Sequence, residues 1–172
     1  MQERRFQILL EMSNLDSGQS LLDVGCGFGD LAAWLAHQGR SVDYTGIDIS
    51  PELLDEGRRQ YPGLRLIETD LLDFDPPPGS YDWVWLSGTL NRNLEDNGRY
   101  ARSVIARMFS VCRKGIAFNL LDARDEWNRS RWDLQGFHPE DIRLLVCGWS
   151  EDTESRDDYL KGDFSVVVKK SS

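Results

Sequence analysis

Three glycines at alternate positions, Gly25, Gly27 and Gly29, directly follow the apolar run Ser20–Val24, and three acids, Asp23, Asp48 and Asp70, recur nearby. Glycines so spaced let a backbone turn approach a ligand closely and adopt positive φ angles. A dinucleotide fingerprint would place its third glycine at position 30, but Asp30 stands there and the glycine comes one residue early. An acid at the mouth of the following helix repels a pyrophosphate and suits an amino or sulfonium group. Asp23 adds negative charge at the strand end, so the loop reads as built for a ligand with a positive region. Asp48, nineteen residues past Gly29, offers two acceptor oxygens to both hydroxyls of a ribose. Asp70 suits the exocyclic amine of an adenine.

These residues need a frame that brings strand ends to one rim. Residues Glu3–Leu15 carry Phe6, Leu9 and Leu10 on one side, the pattern of a short amphipathic helix. The strand Ser20–Val24 and the glycine turn lead into a helix over Asp30–Gln38 that stops at Gly39. A second strand, Val42–Ile49, precedes a helix from Ser50 to about Tyr61, with Ser50 as its cap and Pro51 in its first turn. Strands over Leu64–Ile67, Tyr81–Leu86 and Gly115–Leu121 follow, with a helix over Arg99–Cys112 before the last of them. Asp75-Pro76-Pro77-Pro78-Gly79 is a surface turn. Residues 122–137 show no period; His138-Pro139-Glu140 opens a helix, and Ser155–Leu160 with Phe164–Lys169 reads as a closing hairpin.

Strand and helix alternate through five units, which calls for a mostly parallel sheet with helices on both faces. The expected fold is α/β and Rossmann-like: seven strands with a C-terminal antiparallel hairpin, in one domain over residues 1–172. Residues 1–15 are a candidate N-terminal lid helix.

The run Leu22-Asp23-Val24-Gly25-Cys26-Gly27-Phe28-Gly29 resembles the glycine motif of class I S-adenosylmethionine-dependent methyltransferases. Gly46-Ile47-Asp48-Ile49-Ser50 is similar to their second motif, Thr69-Asp70-Leu71 to their third, and Tyr81–Gly88 to their fourth strand. The likeness extends over almost the whole chain. It implies S-adenosylmethionine as cofactor, with Asp23 and the backbone of Gly25, Cys26, Gly27 and Gly29 at the methionine part. It also implies Asp48 and Ile49 at the ribose, Asp70 and Leu71 at the adenine, and Ser87 against the methionine moiety. In that family the closing hairpin inserts an antiparallel seventh strand beside the fifth.

The motifs say little about the acceptor. A sulfonium methyl is already activated, so transfer asks for an oriented acceptor, a dry site and at most a base. Asn119 and Asp122, at the end of the fifth strand, are the candidate catalytic groups; His138 is weaker, since its place before Pro139 also suits a cap. Asn91, Asn93, Trp127 and Trp132 can line a pocket between the Ser87–Asn97 loop and residues 119–132. Arg124, Arg129 and Arg131 can anchor a carboxylate or phosphate on the acceptor. The expected substrate is a small molecule methylated on oxygen or nitrogen. Two alternatives stand beside this reading, an NAD-dependent oxidoreductase and a non-catalytic cofactor-binding module.

The formal net charge of −9, with twelve acids against six basic residues over 122–163, opposes nucleic-acid binding. A basic protein substrate remains compatible with it. No Pro-Pro-aromatic motif follows the fourth strand, as amino-methylating DNA enzymes would require. Cys26, Cys112 and Cys147 form no CxxC pair, and His37 and His138 have no metal-ligand spacing, so no metal is expected. With no long apolar run and no leader pattern, the expectation is a cytoplasmic protein without a membrane span.

Overall fold

The structure, a computed structural model, describes residues 1–171. The strands are β1 (Ser20–Val24), β2 (Asp43–Asp48), β3 (Arg65–Glu68), β4 (Tyr81–Leu86), β5 (Cys112–Asp122), β6 (Gly136–Phe137), β7 (Thr153–Arg156) and β8 (Asp163–Lys169). They form one sheet in the order β3-β2-β1-β4-β5-β8-β7, with β6 paired to the end of β5. The ladders from β3 to β5 are parallel. β8 runs antiparallel between β5 and β7, the place expected for the inserted strand. The order reverses between β1 and β4, which puts the turn after β1 at the switch point where such sheets take ligands.

Alternation along the strands divides the core into two layers. Leu21, Tyr44, Trp83, Trp85, Ala117 and Val167 face one side. There they meet α1 (Gln2–Ser13), α2 (Asp30–His37) and α3 (Pro51–Gln60) through Phe6, Leu9, Leu31, Leu35 and Leu54. Leu22, Val24, Val84, Leu86, Ile116 and Phe118 face the other side. That layer is closed by α4 (Arg99–Val111) and α6 (Pro139–Val146), through Val104, Ile105, Met108, Ile142 and Val146.

Local chemistry sets the element ends. Ser50 Oγ accepts from the Leu53 amide at 3.3 Å with Pro51 in the first turn, and Gly39 takes φ 72° just beyond α2. The sheet has eight strands rather than seven, because the two-residue β6 pairs Gly136 and Phe137 with Leu121 and Asp122. Residues 122–137 also hold a short helix, α5 (Glu126–Ser130), capped by the Asp125 carboxylate on the Asn128 amide. Elements of two and five residues leave no periodic trace in a sequence. The hairpin's outer strand lies at Thr153–Arg156, earlier than Ser155–Leu160, and its exposed Glu154 belongs to a polar edge strand. No helix among the described residues is long and apolar enough to cross a membrane.

α1 is a layer of the core. Phe6, Ile8, Leu9 and Met12 are buried, and Arg5 pairs with Asp163 of β8 at 2.5 Å. Its first turn still reaches the rim, where Gln2 Nε2 donates to Ser87 Oγ at 3.1 Å. A lid motion of residues 1–15 would have to strip these contacts.

Candidate active site

The turn after β1 is fixed from several sides. The amides of Gly25 and Cys26 both donate to the carbonyl of Ile47, at 2.8 and 3.0 Å. Gly25, Gly27 and Gly29 have φ of 71°, 55° and 88°. A Cβ on Gly25 would come within 2.2 Å of the Thr89 side chain, so the loop after β4 lies directly on the turn. Two further glycines, Gly46 at the start of the second motif and Gly57, which no motif included, make room beneath it. A Cβ on Gly46 would meet Cys26 Sγ at 2.7 Å, and one on Gly57 would meet the Phe28 carbonyl oxygen at 2.4 Å. The Cys26 thiol thus points toward β2, and burial, with Asp23 and Asp48 nearby, pushes its pKa up and keeps it protonated. Gly27 differs from its neighbours. Nothing lies within 4 Å of where its Cβ would be, so this stretch of backbone faces open space.

Asp48 ends β2 beside that opening. Its Oδ2 accepts from the Gly27 amide and its Oδ1 from the Ser50 amide, each at 2.9 Å. Each oxygen keeps lone-pair capacity for one further donor, the arrangement that a pair of ribose hydroxyls requires. Ile49, next in sequence, is 70% exposed, an apolar side chain held at the rim without a protein partner.

Asp23 is buried on β1 and accepts from Tyr44 Oη at 2.6 Å. Burial raises its pKa, the Tyr44 hydrogen bond opposes the rise and Asp48 adds to it, leaving it pushed up to about 7. A cationic ligand group would favour the ionised form.

Asp70 accepts from the Leu72 amide at 2.7 Å and from Tyr100 Oη, supplied by α4. With Ile49, Leu90 and Tyr100 it borders a cavity of about 300 Å³. Leu71 is 2% exposed, so only its backbone is available there.

At the end of β5, Asn119 and Asp122 are both engaged within the chain. Asn119 Nδ2 donates to Ser87 Oγ and its Oδ1 accepts from the Gly88 amide, each at 2.9 Å. Asn119 therefore holds Ser87 and Gly88 in place from a buried position. Asp122 accepts from Arg124 Nε, from Arg124 Nη2 at 2.6 Å and from the Arg124 amide. Burial would raise its pKa, but the Arg124 guanidinium holds it below the usual range. His138 sits at the N-cap of α6 and makes no side-chain cap bond.

A larger cavity, about 710 Å³, opens between residues 88–95 and 132–134. Its walls are joined as a ribbon: Arg92 bridges Leu134, the Asn93 amide donates to the Asp133 carbonyl, and the Gln135 amide to that of Asn91. Trp132, 85% exposed, and Leu94 border it. Trp127 is 58% exposed, with the Arg131 guanidinium 5.3 Å above its ring. Neither tryptophan packs residues 122–137 onto the sheet. Sequence reasoning missed Tyr44, Thr89, Arg92 and Tyr100, since each acquires its role from a strand register or a loop contact.

The fold is the one expected of an adenosyl-cofactor transferase, and comparison with known proteins agrees. A family model described as a methyltransferase domain matches residues 21–115. Rv1506c of Mycobacterium tuberculosis, provisionally named a methyltransferase, is 27% identical over 158 residues, covering 89% of this chain and 94% of its own. The fatty-acid O-methyltransferase of Mycolicibacterium smegmatis is 30% identical over 120 residues, covering 67% of this chain and 41% of its own. The crystal structure of an S-adenosylmethionine-dependent methyltransferase from Archaeoglobus fulgidus superposes with a TM-score of 0.74 at 14% identity, covering 98% of this chain and 92% of that one. The chain belongs to the methyltransferase domain family and is a class I S-adenosylmethionine-dependent methyltransferase. The dinucleotide-dependent oxidoreductase alternative is thereby set aside.

Proposed function

We propose that the protein methylates an oxygen or nitrogen atom of a small molecule bound between the Ser87–Asn97 loop and residues 119–134. The observation that carries this reading is the cavity of about 710 Å³ opening beside Gly88 and Thr89, on the same rim as the glycine turn. Its size is in the range of small-ligand sites. The O-methylation of a fatty acid named for the Mycolicibacterium relative supports a small acceptor and an oxygen target.

Bound S-adenosylmethionine supplies an activated methyl group on a sulfonium. In this reading Asp48 receives the ribose hydroxyls, Ile49 and Asp70 border the adenine, and Asp23 with the backbone of Gly25, Cys26, Gly27 and Gly29 faces the methionine part. Ser87, steadied by Asn119 and Gln2, supports the same region. Trp132 and Leu94 cover apolar parts of the acceptor and exclude water, while Asn91 and Asn93 give it hydrogen-bonding walls. Holding the acceptor in line contributes several kcal/mol without any covalent step by the protein. Asn119 and Asp122 act as positioning groups for the rim, because their polar atoms are already taken.

The test is transfer of label from methyl-labelled cofactor into a cell extract. Label in the small-molecule fraction supports the reading. Label confined to protein or RNA contradicts it.

A further inference from the structure

We propose that the acceptor is an apolar carboxylic acid, that Arg92 binds its carboxylate, and that the product is a methyl ester. This rests on the small-molecule reading above and names its substrate class.

Arg92 stands on the loop after β4, its backbone bridged to Leu134, and it borders both the cavity of about 710 Å³ and that of about 300 Å³. Among the described residues its guanidinium has no ion-pair or hydrogen-bond partner. The arginines that the sequence offered as anchors are different. Arg124 is held by Asp122 and Asp157, Arg131 by Asp133, and Arg129 borders none of the described cavities. The acids around Arg92 are also largely committed to other donors. Asp96 accepts from the Gly98 and Tyr100 amides, Asp70 from Tyr100 Oη, and Asp133 from Arg131. Glu95, on the exposed side of the larger cavity, makes no ion pair with Arg92. In a chain of net charge −9, a cavity thus presents an unclaimed planar cation with paired donors, the geometry that binds a carboxylate through two parallel hydrogen bonds. Leu94, Trp132 and Leu134 around it suit an apolar carbon frame.

The chemistry of the rim agrees independently. An alcohol or ammonium acceptor must lose a proton before or during attack. Among the described residues, the one unpartnered carboxylate bordering the cavity, Glu95, lies on its exposed side, while the groups at the end of β5 offer no free base. Asn119 is an amide with both ends occupied, Asp122 is clamped by Arg124, and His138 is exposed and borders neither cavity. A carboxylate needs no base, being ionised above about pH 5. A lone pair of one carboxylate oxygen forms the O–CH3 bond while the S–CH3 bonding pair returns to sulfur. The negative and positive charges cancel, leaving a neutral ester and a neutral thioether, and no proton moves.

The experiment incubates the whole chain with methyl-labelled S-adenosylmethionine and the small-molecule fraction of a cell extract, then treats the products with mild alkali. Methyl esters release volatile labelled methanol, whereas methyl ethers and methylamines keep their label. Volatile label is expected, falling roughly tenfold or more in Arg92→Gln and less in Arg92→Lys, which keeps the charge but loses the fork. Calorimetric binding of S-adenosylhomocysteine should change far less than the volatile label does in both variants. Alkali-stable label would overturn the proposal, as would undiminished volatile label in Arg92→Gln. No labelled small molecule at all, with S-adenosylhomocysteine still bound, would overturn the small-molecule reading itself and this proposal with it.

Discussion

The amide of Gly27 donates to Asp48 Oδ2 at 2.9 Å, so the centre of the glycine turn and the acid at the end of β2 form one unit before any ligand arrives. Pre-organisation of this kind lowers the ordering cost of binding. Gly27 also has φ 55° with open space where a side chain would begin. Gly27→Ala should therefore cost about 1 kcal/mol of stability from the left-handed backbone, a fall of roughly 2–4 °C in Tm. Its methyl group would project into the ligand's space, so cofactor affinity should fall by more than stability does. Thermal melts and calorimetry on the same sample compare the two. Unchanged affinity would mean that the ligand does not approach Gly27.

Asp23 carries a pH signature. Its pKa rises from the ordinary 3.8 to about 7, chiefly through burial. Between these values the native chain holds a proton that the unfolded chain has released, so stability falls as pH rises from about 4 to about 7 and then levels off. Asp23→Asn keeps an acceptor for Tyr44 and removes this penalty. It should raise Tm more at pH 8 than at pH 5, while weakening cofactor binding by removing the negative charge. Equal Tm shifts at the two pH values would contradict the assignment.

Asn119 and Trp132 should separate cleanly. Asn119→Ala leaves Ser87 Oγ and the half-buried Gly88 amide each short of a partner and should cost about 1–3 kcal/mol of stability. Trp132, 85% exposed, can be replaced by Ala within about 0.5 kcal/mol. The same change should raise KM for the acceptor while leaving cofactor affinity intact. Denaturant melts and steady-state kinetics read both. Normal acceptor KM in Trp132→Ala would remove this tryptophan from the acceptor pocket.

Much of the frame was legible because apolar strands and glycine or proline punctuation mark its ends. β4 matches its expected bounds, and Asp48 and the three glycines of the turn meet at one rim. What stayed hidden depends on pairing across the chain. Tyr44 reaches Asp23 because Leu21 pairs with Tyr44 and Asp23 with Gly46, which sets the two polar side chains diagonally on one face. Residue types do not announce that register. Arg92 is likewise defined by its bridge to Leu134. The acids and arginines of 122–133 showed their composition but not who pairs with whom, so Arg124 looked free although Asp122 and Asp157 hold it. Trp127 and Trp132 have core-like side chains and an exposed setting, a contrast that only the packing reveals.

The most direct measurement is a calorimetric titration of the wild-type chain and of Asp48→Ala with S-adenosylhomocysteine. Asp48 is the residue that the glycine turn and the cofactor's ribose would share. Removing it deletes charged hydrogen bonds, each contributing on the order of 1.5–3 kcal/mol, and releases the Gly27 amide. The wild type should bind at one site, and Asp48→Ala should bind at least roughly tenfold more weakly, at about 1.4 kcal/mol per decade. Equal affinity in the two proteins, or no binding by a folded wild type, would contradict the cofactor site described here.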